Sequence, residues 1–252
     1  MENPVVIKIG GNELEDSVFV EEFAKAIVSY HQKHSCIIVH GGGRAINEML
    51  QALHIEPKYV DGQRVTDEAT LEVVEMVLSG LINKRLVTAL LNLNVDAIGI
   101  SGVDRKLLVA EPWGDNMDLV GRIVQVRTEI FEGYFRQNVI AVVSPLSIGN
   151  GGRYNVNADH AAGMIAGAIQ AQATYFISNV PGVLNNGQII PALTKVEVEE
   201  LIEKDIINGG MIPKVNAAID ALENGSQQAI ITNLDGFING IGTTFTTRKE
   251  TA

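Results

Sequence analysis

Residues 5–30 read VVIKIGGNELEDSVFVEEFAKAIVSY, and they contain a whole structural unit. Val5 to Ile9 is a short, β-branched apolar run of the kind that forms a buried strand, and it ends in Gly10-Gly11. Asp16-Ser17 then supplies helix-cap chemistry ahead of the amphipathic stretch Val18 to Tyr30. The same grammar returns at once: Cys36 to Val39 leads into Gly41-Gly42-Gly43 and a helical stretch from Arg44 to Leu53. Successive strand–glycine turn–helix units predict a mostly parallel sheet with right-handed crossovers.

Working outward, Thr66-Asp67-Glu68 opens a long helical region in which Leu71, Val74, Val77 and Leu78 keep one apolar face. Gly80 is expected to mark a bend before a further helix through Leu91. Ala97 to Ile100 reads as strand. Leu107 to Ala110 and Gly121 to Val126 flank the turn-rich residues 112–116, the pattern of an antiparallel hairpin inserted near a binding cleft. Val139 to Val143, a glycine-rich loop at 149–152 and a helix from about Asp159 resume the parallel rhythm. Tyr175 to Ser178, Gln228 to Thr232 and Thr243 to Phe245 read as strands, Lys195 to Glu203 and Gly210 to Leu222 as helices. With no linker or low-complexity tract, the expected architecture is two lobes, 1–170 and 171–252, sharing one sheet. The class is α/β.

Composition agrees. The 252 residues are 46% hydrophobic, enough for a large core, while aromatics are only 5% and glycine is plentiful, which suits a layered sheet with tight turns. The net charge of -11 argues against nonspecific binding to nucleic acid or an anionic membrane. Cys36 is the sole cysteine, so neither an internal disulfide nor a thiolate metal cluster is expected. No signal sequence or membrane-length apolar run is visible, and a cytoplasmic protein is expected.

Three segments carry the chemistry. Lys8 sits in a strand immediately before a glycine turn, where an ammonium needs an anionic partner. The turns Gly10-Gly11 and Gly41-Gly42-Gly43 each precede a helix, so their N–H groups suit phosphate or carboxylate oxygens. A third segment, Gly209-Gly210-Met211-Ile212-Pro213-Lys214, brings a second lysine. Neither turn has the P-loop or the dinucleotide-fold spacing. His40-Gly41-Gly42-Gly43 also looks like the oxyanion loop of an α/β hydrolase, but Gly99-Ile100-Ser101-Gly102-Val103 lacks the second glycine of a nucleophile elbow. Asn155-Val156-Asn157-Ala158-Asp159 opens a helix; capping alone explains Asp159 but not two asparagines suited to a carboxylate and an amide. Arg64 offers a planar fork for a carboxylate.

Five ordered blocks, KIGGN (8–12), VHGGGR (39–44), DGQRVTD (61–67), NVNAD (155–159) and GGMIPKV (209–215), resemble the amino acid kinase family, and within it the branch that phosphorylates the side-chain carboxylate of N-acetyl-L-glutamate. The resemblance runs nearly end to end. It implies a three-layer αβα sandwich, as in carbamate kinase-like folds, with acetylglutamate binding and dimerisation in the N-terminal lobe and ATP in the C-terminal one. Lys8 and Lys214 would bind the moving phosphoryl group, with Asp159 orienting both. Gly10 and Gly11 would contact phosphate, and Gly41, Gly42, Arg64, Asn155 and Asn157 the acetylglutamate. The nucleotide would lie against Asn179, Gly182, Val183, Leu184, Ile206, Ile207, Asn208, Gly210 and Met211, with magnesium (Mg2+) carried mainly by its phosphates and no protein metal ligand. Asn179 departs from the aspartate usual in that branch, and Ser178-Asn179-Val180-Pro181-Gly182 is similar to a related kinase acting on carrier-protein-bound aminoadipate or glutamate. The chain begins just before its first strand, without the N-terminal helix of arginine-inhibited hexamers, so the resemblance implies an arginine-insensitive homodimer.

Overall fold

The computed structural model describes residues 4–11, 13–60, 62–114 and 116–247. Asn12, Asp61 and Asp115, which fall in two of the motifs and in the hairpin turn above, lie outside them.

Apolar runs become strands and capped amphipathic runs become helices, in the order the sequence suggests. Strand β1 (Pro4–Ile9) precedes α1 (Ser17–His31), whose N-cap Asp16 accepts from the Val18 N–H. Strand β2 (Ser35–His40) feeds α2 (Gly43–Ala52), and the short ribbon β3 (Lys58–Val60) and β4 (Gln63–Val65) follows. Asp67 caps α3 (Glu68–Glu75), which continues without a break through a π-helical stretch, Met76–Ile82, into α4 (Asn83–Leu91). Gly80 therefore lies in a widened helical turn and not at the expected bend. Next come β5 (Ala97–Ser101), the hairpin β6 (Leu108–Pro112) and β7 (Gly121–Val126), α5 (Thr128–Arg136) and β8 (Ile140–Ser144).

The expected loop at 149–152 is instead the turn of a second hairpin, β9 (Ser147–Gly149) with β10 (Gly152–Tyr154), where Gly151 and Gly152 adopt φ of +102° and +137° that other residues resist. The chain ends through α6 (Ala158–Ala168), β11 (Ala173–Ile177), the short strands β12 (Leu184–Asn185), β13 (Gln188–Ile189) and β14 (Ala192–Leu193), α7 (Lys195–Glu203), α8 (Met211–Glu223), β15 (Ala229–Thr232), α9 (Leu234–Asn239) and β16 (Thr243–Phe245).

Eight strands form the central sheet in the order β14-β16-β15-β11-β1-β2-β8-β5, parallel throughout except between β15 and β16. Alternation along the strands divides the core. Val6, Ile37, Val39, Ala141, Val143 and Phe176 pack on the face covered by α6 and α8. Val5, Ile7, Ile9, Cys36, Ile38 and Val142 pack on the opposite face with Phe23 of α1, Leu71 of α3 and Leu86 of α4. Helices therefore cover both faces, the three-layer arrangement a mostly parallel sheet requires. Strand order reverses at β1: the chain builds outward to β2, β8 and β5 on one side, then returns to β11, β15 and β16 on the other. The carboxyl ends of strands at such a reversal form a natural crevice for a ligand. Among the described residues, no helix is long and apolar enough to cross a membrane.

Candidate active site

A cleft of about 650 Å3 opens at this reversal, and its lining includes Lys8, Gly11, Gly42, Arg64, Asp159 and Lys214. The pleat explains its first ion pair. Lys8 lies two residues after Val6 and shares its face, the one that packs under α6. Its Nζ is 2.8 Å from Oδ1 of Asp159, with side-chain exposures of 15% and 27%. Asp159 lies in the first turn of α6, where the helix dipole also favours a carboxylate. The cap of α6 is Asn157, whose Oδ1 accepts from the Asp159 and His160 N–H groups, so capping does not account for Asp159. Lys214, in the first turn of α8, enters the same cleft but has no carboxylate within ion-pair distance among the described residues. Asp159 thus grips one lysine, not both.

The two glycine turns touch backbone to backbone. A Cβ added at Gly11 would stand 2.5 Å from the Gly42 nitrogen and Cα and 2.8 Å from the Gly43 nitrogen. One added at Gly42 would stand 2.5 Å from Leu78 and Ile82 of the π-helical stretch. The donors differ from expectation: the Gly10 N–H bonds the Ile177 carbonyl at 3.4 Å and the Gly41 N–H bonds the Ile9 carbonyl at 3.1 Å. These bonds tie the turns to the sheet, leaving the Gly11 and Gly42 N–H groups without an acceptor among the described residues. Helix α2 also begins without a side-chain cap, so its first-turn N–H groups remain open to an anion, whereas in α8 the Met211 and Ile212 N–H groups bond the Asn208 and Gly209 carbonyls and Pro213 has none.

At the other end of the cleft, Arg64 stacks over Tyr59 at 5.0 Å and donates through Nη2 to Asn47 Oδ1 at 2.6 Å and the Gly43 carbonyl at 3.3 Å. Its Nη1 is buried with no partner, a donor that a carboxylate would satisfy. Burial pulls the guanidinium below its ordinary pKa, with Tyr59 opposing. Asn155 donates to Thr66 Oγ1 at 2.9 Å, which leaves its Oδ1 to accept, whereas Asn157 keeps its amide N–H groups after capping. Asn47 and Tyr59 were missed by sequence reasoning. Asn47 follows the glycine turn by about one helical turn, a spacing that would have placed it beside the cleft.

Of the residues expected at the nucleotide, Asn179 lines the cleft. Val183 and Ile207 are buried in the same apolar core, and the Val183 N–H bonds Thr243 Oγ1 at 2.8 Å. Gly182, at φ +153°, abuts the same Thr243, while Leu184 is partly exposed and Ile206 half-buried. Asn208 bonds the Asp205 carbonyl, and Gly210 and Met211 begin α8. Apart from Asn179, none of them lines the cleft that holds the lysines.

His40 does not serve as a hydrolase oxyanion loop would require. It is fully buried and bonded to Gly41 and Asn83, while Ser101 bonds Asp104 through both its N–H and its hydroxyl. Burial, with help from the Lys84 charge and against the Gly41 hydrogen bond, holds His40 down at about 4. As pH falls from the ordinary histidine value, the unfolded chain takes the proton first, so this stability is full above about pH 6.5 and is lost toward pH 4. Between pH 7 and pH 5 we expect His40 to cost the fold about 2 kcal/mol. Urea unfolding of the wild type should show a correspondingly larger loss than His40→Asn, and equal losses would contradict this.

An αβα sandwich whose strand-order reversal carries two lysines, a carboxylate and open N–H donors is built to hold a transferring anionic group. The chain matches the amino acid kinase family over residues 3–233. An acetylglutamate kinase of Roseiflexus castenholzii (strain DSM 13941 / HLO8) is 46% identical over 238 residues, covering 93% of this chain and 91% of the relative. One from Methanopyrus kandleri is 44% identical over 250 residues, 94% and 98% respectively. Among solved structures, smu.665 from Streptococcus mutans UA159 superposes with a TM-score of 0.87 at 28% identity, covering 98% of this chain and all of that one. Giardia lamblia carbamate kinase bound to AMP-PNP, at 16% identity, shares the fold with a TM-score of 0.72 over 98% of this chain and 99% of its own. The chain belongs to the amino acid kinase family.

Proposed function

We propose that the chain transfers the γ-phosphoryl group of ATP to the side-chain carboxylate of N-acetyl-L-glutamate, giving N-acetyl-L-glutamyl 5-phosphate in arginine biosynthesis. The observation that carries this reading is the cleft itself: Arg64, whose Nη1 has no hydrogen-bond partner among the described residues, lines the same space as Lys8, Lys214 and the turns of Gly11 and Gly42 with their free N–H groups. Relatives 42–46% identical over most of the chain are acetylglutamate kinases, which favours this acceptor over carrier-bound aminoadipate or glutamate.

In this reading Arg64 grips a carboxylate of the acceptor, Asn155 Oδ1 accepts from its acetamido N–H, and Asn157 donates to it. The attacking carboxylate is already ionised at neutral pH, so no general base is needed. Lys8, held by Asp159, and Lys214 neutralise the charge passing between donor and acceptor, and the Gly11 and Gly42 N–H groups complete the cradle. Catalysis is alignment and charge neutralisation, without a covalent enzyme intermediate. Residues 179–184 and 206–211 would receive the nucleotide. Magnesium would be held mainly by the nucleotide phosphates and would neutralise part of their charge. Residues 1–170 and 171–252 would act as acceptor and nucleotide lobes, and the protein as a cytoplasmic homodimer.

Acyl phosphate trapped as hydroxamate tests the acceptor, with N-acetyl-L-glutamate, N-acetyl-L-aminoadipate and free glutamate compared under magnesium and ATP. Strong preference for acetylglutamate is expected. Activity confined to the longer acceptor, or absent on every free acid, would overturn the assignment.

A further inference from the structure

The Gly42 N–H belongs to the same peptide group as the Gly41 carbonyl, and in a planar trans peptide the two point in opposite directions. Whatever fixes that carbonyl therefore aims the N–H. His40 Nδ1 lies 3.2 Å from the Gly41 oxygen, and its Nε2 lies 3.3 Å from Asn83 Nδ2. Asn83, the first residue of α4, is fully buried; its Nδ2 also donates to the Val142 carbonyl at 2.9 Å, and its Oδ1 accepts from Lys84 Nζ at 2.9 Å. Lys84 donates besides to the Gly99 carbonyl at 3.1 Å.

Because an ammonium only donates, the oxygen of the Asn83 amide must face Lys84, and the NH2 must face His40. Histidine Nε2 must then accept, which leaves the proton on Nδ1, directed at the Gly41 carbonyl. The order Lys84→Asn83→His40→Gly41 has one direction of donation throughout, and each bond polarises the next. Burial holding His40 neutral agrees with that tautomer. The packing is close as well: a Cβ at Gly99 would overlap the Asn83 amide, and Leu78 and Ile82, on the turn before Asn83, wall the Gly42 Cα.

We infer that His40, Asn83 and Lys84, none of which lines the cleft, are positioning residues that set the Gly41–Gly42 peptide so that its N–H points at the moving phosphoryl group. The inference rests on the proposed kinase reading. Removing one preorganised donor of this kind typically costs 10²–10³ in kcat, and misaiming it costs less, about 10- to 100-fold. Such a donor acts in the transition state, so the loss falls on kcat rather than on KM.

The test is steady-state kinetics of His40→Phe and His40→Asn beside the wild type. Phenylalanine removes both ring contacts, whereas the asparagine amide sits near the position of Nδ1 and restores a donor to the Gly41 carbonyl. We expect His40→Phe to lose about 10- to 100-fold in kcat, with both KM values within about threefold, and His40→Asn to regain most of it. Equal kcat in the two variants, or a loss carried by KM, would overturn the inference. Should either fail to fold, Lys84→Met frees the Asn83 amide to reverse without emptying the core; kcat should fall several-fold at an unchanged melting temperature, and unchanged kcat would overturn the inference. A wild type inert toward acetylglutamate would instead overturn the functional reading, and this inference with it.

Discussion

Lys8→Arg is expected to lower kcat by about three orders of magnitude while leaving the fold intact. Lys8 is a compact ammonium at the end of a buried strand, 15% exposed and 2.8 Å from Asp159. Arginine keeps the charge but replaces a point donor with a planar fork that pairs best with a carboxylate through two parallel bonds. In this site the fork would turn toward Asp159 and draw the charge away from the oxygens that develop it during transfer. The strand itself should survive, because Val5, Val6, Ile7 and Ile9 supply its core contacts and the charged end already reaches the cleft. Circular dichroism should therefore match the wild type. A folded Lys8→Arg enzyme within tenfold of wild-type turnover would contradict the role given to Lys8.

Gly11→Ala should cost on the order of 10²-fold in turnover, for a steric reason. The new methyl would lie 2.5 Å from the Gly42 nitrogen and Cα, where ordinary contact begins near 3.4 Å. The obstacle is backbone, so the two turns must part by about 1 Å, and a displacement of that size misaligns a reacting pair. Gly42 has little room of its own, since a Cβ built on it would stand 2.5 Å from Leu78 and Ile82. Gly133→Ala is the contrasting case: nothing lies within 4 Å of its Cβ in the middle of α5. It should raise stability by about 0.5–1 kcal/mol and leave turnover unchanged. Parallel kinetics and urea unfolding of the two variants would check both halves. Equal turnover in both would show that the contact between the turns does not matter.

Much of this geometry is legible in the chain because short-range rules suffice for it. The β-branched runs ending in glycine locate β1 and β2, and period-two alternation puts Lys8 on the face of Val6, where a helix beginning with an acidic residue must pack. Caps at Asp16 and Asp67 fall where side-chain chemistry puts them. What the sequence could not decide depends on distant partners. The Gly10 and Gly41 N–H groups look as free as those of Gly11 and Gly42 until the carbonyls of Ile177 and Ile9 are brought beside them. Asn157 and Asp159 compete equally for the cap of α6, and the position of Lys8 leaves Asp159 to the ion pair and Asn157 to the cap. The π-helical turn at Met76–Ile82 has no signature in residues that are all acceptable to an ordinary helix. The ribbon β12–β13 is too short for periodicity to reveal it.

The central claim is that an oxygen of the acetylglutamate side-chain carboxylate captures the phosphoryl group between Lys8 and Lys214. Phosphorus NMR of the reaction with ATP, magnesium and acetylglutamate carrying 18O in that carboxylate tests it most directly. The account predicts a new acyl phosphate resonance displaced by the isotope, growing as ATP declines. Loss of ATP to unlabelled inorganic phosphate, or no consumption of ATP at all, would contradict it.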